Sequence, residues 1–275
     1  MSSRIATTFA ELRSKNQMAF MPFLTAGDPD LATTQQAIRD LAAAGVDLIE
    51  IGFPYSDPIA DGPVIQASYA RALHRKITVR QIFDALTEIK SETLPPLVAM
   101  VSYAIIMRHG EERFLQNCVK AGFSGLIVPD LPGAEAGELF QAVQAAGLDL
   151  VQLVAPTTPR ARVKQILSAG SGFVYIVAVA GTTGERQEVA TAVIDQLDWL
   201  REETDLPLAV GFGISRPEHV EPLRGHADGV IVGSAIVRSL EQKPTPDEAS
   251  GSSLTAMQDF ARDMVAAAHV AGTNS

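Results

Sequence analysis

The stretch Ala44-Gly45-Val46-Asp47-Leu48-Ile49-Glu50-Ile51 holds the plan of the chain in miniature. An alanine-rich amphipathic segment ends in Ala-Gly, and a short apolar run rich in branched residues follows at once. Glycine suits the left-handed turn that closes a helix, because it has no Cβ to clash there. The same figure returns at Ala121-Gly122-Phe123, Ala146-Gly147-Leu148 and Ala169-Gly170-Ser171. Read as strands, the apolar runs fall at residues 19–24, 48–51, 97–101, 125–128, 149–154, 173–177, 208–210 and 229–232. Most are followed by helical periodicity. Near-continuous apolar strands alternating with helices imply a parallel sheet covered on its outer side.

Eight such units in 275 residues predict an α/β chain folded as one closed (β/α)8 barrel, a TIM barrel, spanning residues 1–275 as a single domain. A doubly wound open sheet is the alternative, since periodicity does not show closure. Residues 5–15 read as an extra helix able to cover the bottom of the barrel. Residues 241–253 (EQKPTPDEASGSS) read as a polar surface loop, because helical spacing resumes over 255–270.

Composition narrows the function. A formal net charge of −10 argues against a basic nucleic-acid surface. The single cysteine, Cys118, cannot form an internal disulfide, which fits a reducing compartment. It lies among Phe114, Leu115 and Val119 and reads as a packed small hydrophobe. The first residues have no apolar core like that of a signal peptide, and no uncharged run approaches the length of a membrane span. The expectation is a soluble, cytoplasmic protein with neither a membrane nor a nucleic-acid partner.

Chemistry in such a barrel sits at the C-terminal strand ends. Those ends offer Phe23 and Thr25, then Glu50, Ser102 with Tyr103, Asp130, and Tyr175 leading into Gly181-Thr182-Thr183-Gly184-Glu185-Arg186. Gly211-Phe212-Gly213 and Gly233-Ser234 follow, the latter opening a short apolar helix over 235–240. Glycine turns leave backbone N–H groups unobstructed, and a helix N-terminus favours an anion, so these ends suit a phosphate. They also suit tight βα turns with no ligand at all.

Lys15, Lys76, Lys90, Lys120, Lys164 and Lys243 fall away from the strand ends, so a Schiff-base mechanism lacks its amine. His74, His109, His219, His226 and His269 show no metal-ligand spacing near them, and no metal is expected. The chemistry therefore falls to carboxylates, with help from Tyr103 or Tyr175. Glu50 would point into the barrel mouth amid Phe23, Ile51 and Tyr175, where an apolar setting raises a carboxyl pKa toward neutrality. A structural salt bridge or an exposed strand terminus is the competing reading. Asp61, in Asp61-Gly62-Pro63-Val64-Ile65-Gln66, is as easily a helix cap as a catalytic group. Asp57 before Pro58 reads as a turn former, and Asp130 as a group that orients a neighbour or fixes its loop.

The segments PFLTAGDPD, EIGFPYSDPIADGPVIQ, GLIVPDLP, AGTTGER, VGFGIS and DGVIVGSAIV, in this order from Pro22 to Val237, resemble the tryptophan synthase α-subunit family. The resemblance implies cleavage of indole-3-glycerol phosphate to indole and glyceraldehyde 3-phosphate. It implies Glu50 as the catalytic acid/base and Asp61 as the second catalytic carboxylate. It places Gly184, Gly213, Gly233 and Ser234 at the phosphate, with Phe212 alongside, and Phe23 and Tyr175 in the pocket. It makes the loops over 53–62 and 181–189 mobile, with Thr183 meeting the catalytic region on closure. It also implies a β subunit in an α2β2 complex. Pyridoxal phosphate belongs to that partner and no cofactor to this chain. The loops after strands two and three, with Asp130 to Pro132, would face the partner. Ile105, where the family commonly has asparagine, and Ala178 and Ala180, where Ser or Thr is usual, depart from the pattern. A stand-alone lyase releasing free indole, or a non-catalytic phosphate-ligand-binding subunit, are the alternative functions.

Overall fold

In the computed structural model the first helix is capped by Ser3, whose hydroxyl accepts a hydrogen bond from the Ala6 N–H at 3.1 Å. The structure describes residues 2–58, 61–177, 186–211, 213–241 and 252–270, with the backbone alone at 186–190 and 252. Helix α1 (Arg4–Ser14) turns Ile5, Phe9 and Leu12 inward, and the Phe9 ring lies 5.7 Å from that of Phe173. The helix thereby closes the bottom of the barrel, the place the sequence gives it.

Strand β1 (Ala19–Thr25) leads to α2 (Leu31–Ala44). The Asp30 carboxylate caps α2 by accepting from the Thr33 N–H at 2.7 Å, and Gly45 ends it at φ +86°. Strand β2 (Ile49–Gly52) is followed by two helices, α3 (Pro63–His74) and α4 (Val79–Ile89). Strand β3 (Leu97–Met100) is likewise followed by α5 (Tyr103–His109) and α6 (Glu111–Lys120). Then come β4 (Phe123–Ile127), α7 (Gly137–Ala145), β5 (Asp149–Val154), α8 (Arg160–Ser168), β6 (Val174–Val177) and α9 (Arg186–Glu203). Strand β7 (Leu208–Gly211) connects to β8 (Gly229–Val232) through short 3-10 turns instead of an α-helix. Helices α10 (Ser234–Glu241) and α11 (Ser252–Ala268) complete the order.

The eight strands pair in sequence order, all parallel, and β1 pairs with β8, so the sheet is closed. The open-sheet alternative is thereby excluded. Alternation along the strands splits the core in two. Phe20, Leu24, Ile49, Ile51 and Ala99 face the helices, while Met21, Phe23, Leu48, Val98, Met100, Tyr175 and Ile231 fill the interior. Both faces are covered, which is why the strands read as continuous apolar runs.

Strand β1 runs one residue beyond its predicted end, to Thr25, and two further strands do so at glycines, Gly52 and Gly211. Glycine is required there by close approach. A Cβ on Gly52 would lie 2.6 Å from the Tyr69 hydroxyl and would collide with the Phe23 ring. One on Gly211 would collide with the Tyr175 hydroxyl. The bare backbone of one strand thus accommodates an aromatic ring from elsewhere in the interior.

One polar tie links elements at the barrel top. The Asp28 carboxylate, in the loop after β1, accepts from the Ser68 hydroxyl at 2.5 Å and from Arg71 at 2.6 Å. The same guanidinium pairs with Glu241 at the end of α10, also at 2.6 Å. Arg71 therefore joins the β1 loop, α3 and α10 in one network.

Candidate active site

Register places the first two groups. Phe23 on β1 and Glu50 on β2 are direct strand partners, and both point into the barrel mouth. Glu50 is 4% exposed, and its Oε1 has no hydrogen-bond partner. A buried carboxylate without a partner is costly, so the salt-bridge and exposed-terminus readings of Glu50 both fail. Burial, with the Asp61 charge second, pushes its carboxyl up to about 8.

Asp61 arrives on the loop between β2 and α3. The start of that loop is fixed on the outer side, where Phe53 is fully buried among Phe83, Phe114 and Phe123, with ring centroids 5.4–5.9 Å away. Its far end is held by Gln66, whose side-chain amide donates to the Asp61 carbonyl at 2.8 Å and the Pro58 carbonyl at 3.3 Å. The capping reading of Asp61 also fails. Gly62 is the N-cap of α3, no side chain caps the helix, and Pro63 takes the first turn. The Asp61 Oδ2 is instead buried without a partner. Burial raises this carboxyl to about 6, opposed by a donor contact from the Tyr55 hydroxyl.

The two carboxylates share a cavity of about 330 Å³. Phe23, Met100, Leu153, Tyr175 and Ile231 supply apolar walls, and Gly213, Ser215, Gly233 and Ser234 also line it. Gly213 has φ +79° with open space where a side chain would stand. Ser234 begins α10, where free N–H groups and the helix dipole suit an anion. Of the residues marked by sequence, Phe23, Glu50, Asp61, Tyr175, Gly213, Gly233 and Ser234 therefore meet in one place. Thr183, Gly184 and Phe212 lie outside the described residues, as do Ala178 and Ala180.

Other marked residues have different work. Asp130 accepts from the Ser102 hydroxyl at 2.6 Å and the Tyr103 N–H at 2.8 Å, so it fixes the start of α5. Asp57 accepts from the Ser56 hydroxyl at 2.7 Å. Cys118 is fully buried, and burial pushes its thiol far above the ordinary range, away from nucleophile duty. His226 faces Asp198 and His269 faces Asp47, and no histidine lines the cavity. Among the described residues no three His, Cys, Asp or Glu side chains are grouped to hold a metal ion, and no helix is long and apolar enough to cross a membrane.

Sequence reasoning missed three residues here. Arg238 follows Ser234 by one helical turn and lines the cavity. A helical side chain leans toward the N-terminus of its helix, which directs Arg238 toward Ser234. Tyr55 and Tyr69 stand beside Asp61, with ring centroids 5.4 Å apart. The spacing of Ile65, Tyr69 and Ala72 on α3 marks an inward face and is the signal that would have found Tyr69.

Comparison with known proteins bears on the fold and the family. The family described as "Tryptophan synthase alpha chain" matches residues 9–269. A tryptophan synthase alpha chain from Rhodopirellula baltica is 47% identical over 250 residues, 90% of each chain. One from Acaryochloris marina is 45% identical over 261 residues, 94% of this chain and 96% of the other. Among solved structures, a tryptophan synthase from Mycobacterium tuberculosis superposes with a TM-score of 0.87 at 31% identity, covering 98% of this chain and 100% of the other. The tryptophan synthase subunit alpha of Legionella pneumophila gives 0.86 at 31% identity, covering 97% and 98%.

Proposed function

The chain belongs to the tryptophan synthase alpha chain family, and from that premise we propose how its own residues perform the family's reaction. It is a carbon–carbon lyase of tryptophan biosynthesis that cleaves indole-3-glycerol phosphate to indole and glyceraldehyde 3-phosphate, in company with a β subunit. The observation that carries the residue assignment is the pair of buried carboxylates, each with an oxygen lacking a partner, in a cavity that glycines and a helix N-terminus also line.

Glu50 begins protonated, since its carboxyl is pushed up to about 8. It gives its proton to C3 of the indole ring, and positive charge spreads to the ring nitrogen. Asp61, ionised above about 6, accepts the ring N–H and stabilises that charge as it develops. Glu50, now a carboxylate, takes the proton from the glycerol hydroxyl adjacent to the bond. The C–C bond breaks, its electron pair restores the indole, the aldehyde forms, and Glu50 is again protonated. One carboxyl thus serves as acid and then base, and the proton count closes.

Gly213, Gly233 and Ser234 hold the phosphate through backbone N–H groups and the start of α10, with Arg238 as the side-chain cation. Phe23 and Tyr175 confine the ring. Thr183, Gly184 and Phe212 complete the closed site in this reading. The steps rest on carboxylates alone. Pyridoxal phosphate belongs to the β subunit, within a cytoplasmic α2β2 complex, and a single barrel domain over 1–275 contributes the lyase half. The β subunit docks over the broad cleft of about 860 Å³ bounded by Tyr55, Asp57, Ser102, Ile105 and Asp130.

The test is Glu50→Gln in the assembled complex. The variant is expected to bind indole-3-glycerol phosphate with unchanged affinity and to lose turnover. Turnover at the parent rate would refute the assignment.

A further inference from the structure

Tyr69 is fully buried, yet its hydroxyl has no hydrogen-bond partner. A phenylalanine would fill the same space without leaving a polar atom unpaired, and buried tyrosine hydroxyls usually find a partner. Room is nevertheless made for this oxygen: it stands over Gly52, 2.6 Å from where a Cβ would be. Gly52 lies two residues beyond Glu50 on the same inward face of β2, so the hydroxyl is placed beside the acid–base pair. Two carboxylate oxygens there, Asp61 Oδ2 and Glu50 Oε1, are also buried and without partners.

Resting on the catalytic assignment of Asp61 above, we propose that Tyr69 is a positioning residue whose hydroxyl donates a hydrogen bond to the Asp61 carboxylate as substrate binds. Tyr55 approaches the same carboxylate, so two phenols flank it. One Asp61 oxygen is then satisfied by phenol while the other is free for the indole N–H. Burial, followed by the Asp61 charge, holds the Tyr69 hydroxyl well above its ordinary range, so it remains a donor and does not act as a base. The groups facing Tyr69 are Asp61, Tyr55, Glu50 and Tyr175, and Asp130 acts on Tyr55 from the end of β4. Arg71, on the same helix, is engaged by Asp28 and Glu241. The effect is a division of roles between two adjacent carboxyls. Phenol donors keep Asp61 ionised at neutral pH, and Glu50, without them, keeps its proton.

The experiment is Tyr69→Phe, assayed as glyceraldehyde 3-phosphate release in the complex with the β subunit across pH 5 to 9, with Asp61→Asn alongside. Tyr69→Phe is expected to melt no earlier than the parent and to keep KM. Its kcat should fall roughly tenfold or more, the loss of one charge-assisted hydrogen bond. The acid limb of its kcat profile, which reports the substrate complex, should move up by about one pH unit, because Asp61 has lost a donor there. Parent-like kcat, an unmoved acid limb, or an earlier melt would each overturn the proposal. Asp61→Asn separates the two levels: full activity there removes the catalytic reading itself, whereas an inactive Asp61→Asn beside a parent-like Tyr69→Phe removes only the role of Tyr69.

Discussion

After burial itself, the charge on Asp61 is what holds the Glu50 carboxyl up near 8, so the proton on one residue depends on the ionisation of the other. Asp61 titrates near 6 and Glu50 near 8, which leaves a window in which one is charged and the other is not. The free-enzyme kcat/KM profile should therefore be bell-shaped, failing below about 6 as Asp61 gains a proton and above about 8 as Glu50 loses one. Both limbs are macroscopic values of a coupled pair. A profile flat across this range would contradict the division of roles.

Stability should move the opposite way to activity in Glu50→Gln. The Glu50 carboxyl titrates at about 8 in the fold against 4.5 for an ordinary glutamate, so between those values the native state holds the extra proton. Its contribution is full below the lower value and is lost as pH rises toward the higher one. At about 1.4 kcal/mol per unit, the variant should gain on the parent by the order of a few kcal/mol at alkaline pH and by little in acid. Urea titrations at the two extremes measure this difference.

Gly211→Ala should injure the site without touching a carboxylate. The new methyl collides with the Tyr175 hydroxyl, and Tyr175 is buried and cannot swing into solvent. Overpacking of this kind costs roughly 1–3 kcal/mol, and a displaced Tyr175 narrows the cavity. The expected result is a lowered Tm with a KM raised severalfold, read by thermal melts and steady-state kinetics.

Arg238→Gln addresses the phosphate. If its guanidinium faces substrate phosphate throughout the reaction, binding weakens equally before and at the transition state. KM should rise by about tenfold with kcat little changed, in keeping with one charge-assisted contact. The salt dependence of KM should flatten in the variant. A fall in kcat at constant KM would place Arg238 outside phosphate binding.

Most of the barrel was readable because its strands are buried on both faces and its helices end in Ala-Gly. The strand ends were less so. Gly52 and Gly211 look like loop residues locally, and only the rings of Phe23, Tyr69 and Tyr175 explain why the strands run through them. The link before β8 is built of 3-10 turns, a stretch to which the sequence assigns no helix. Asp61 was ambiguous because Asp-Gly-Pro is a plausible helix start, and the geometry that moves the cap to Gly62 is tertiary. Tyr55, Tyr69 and Arg238 carry no motif of their own. Their relevance arises when α3 and α10 are laid across the barrel mouth.

The tie made by Arg71 sets a gauge. It fastens α3, which follows the Asp61 loop, to α10, which begins at Ser234, through Glu241, and to the β1 loop through Asp28. In the proposed site, the spacing from the carboxylates to the phosphate would thus be held by protein contacts outside the cavity, as the jaw of a caliper is set by its screw. A ligand whose spacer between ring and phosphate is one carbon shorter or longer than glycerol meets the wrong opening. In the proposed site, a salt bridge that the ligand itself never touches would then bear on the molecular length it accepts.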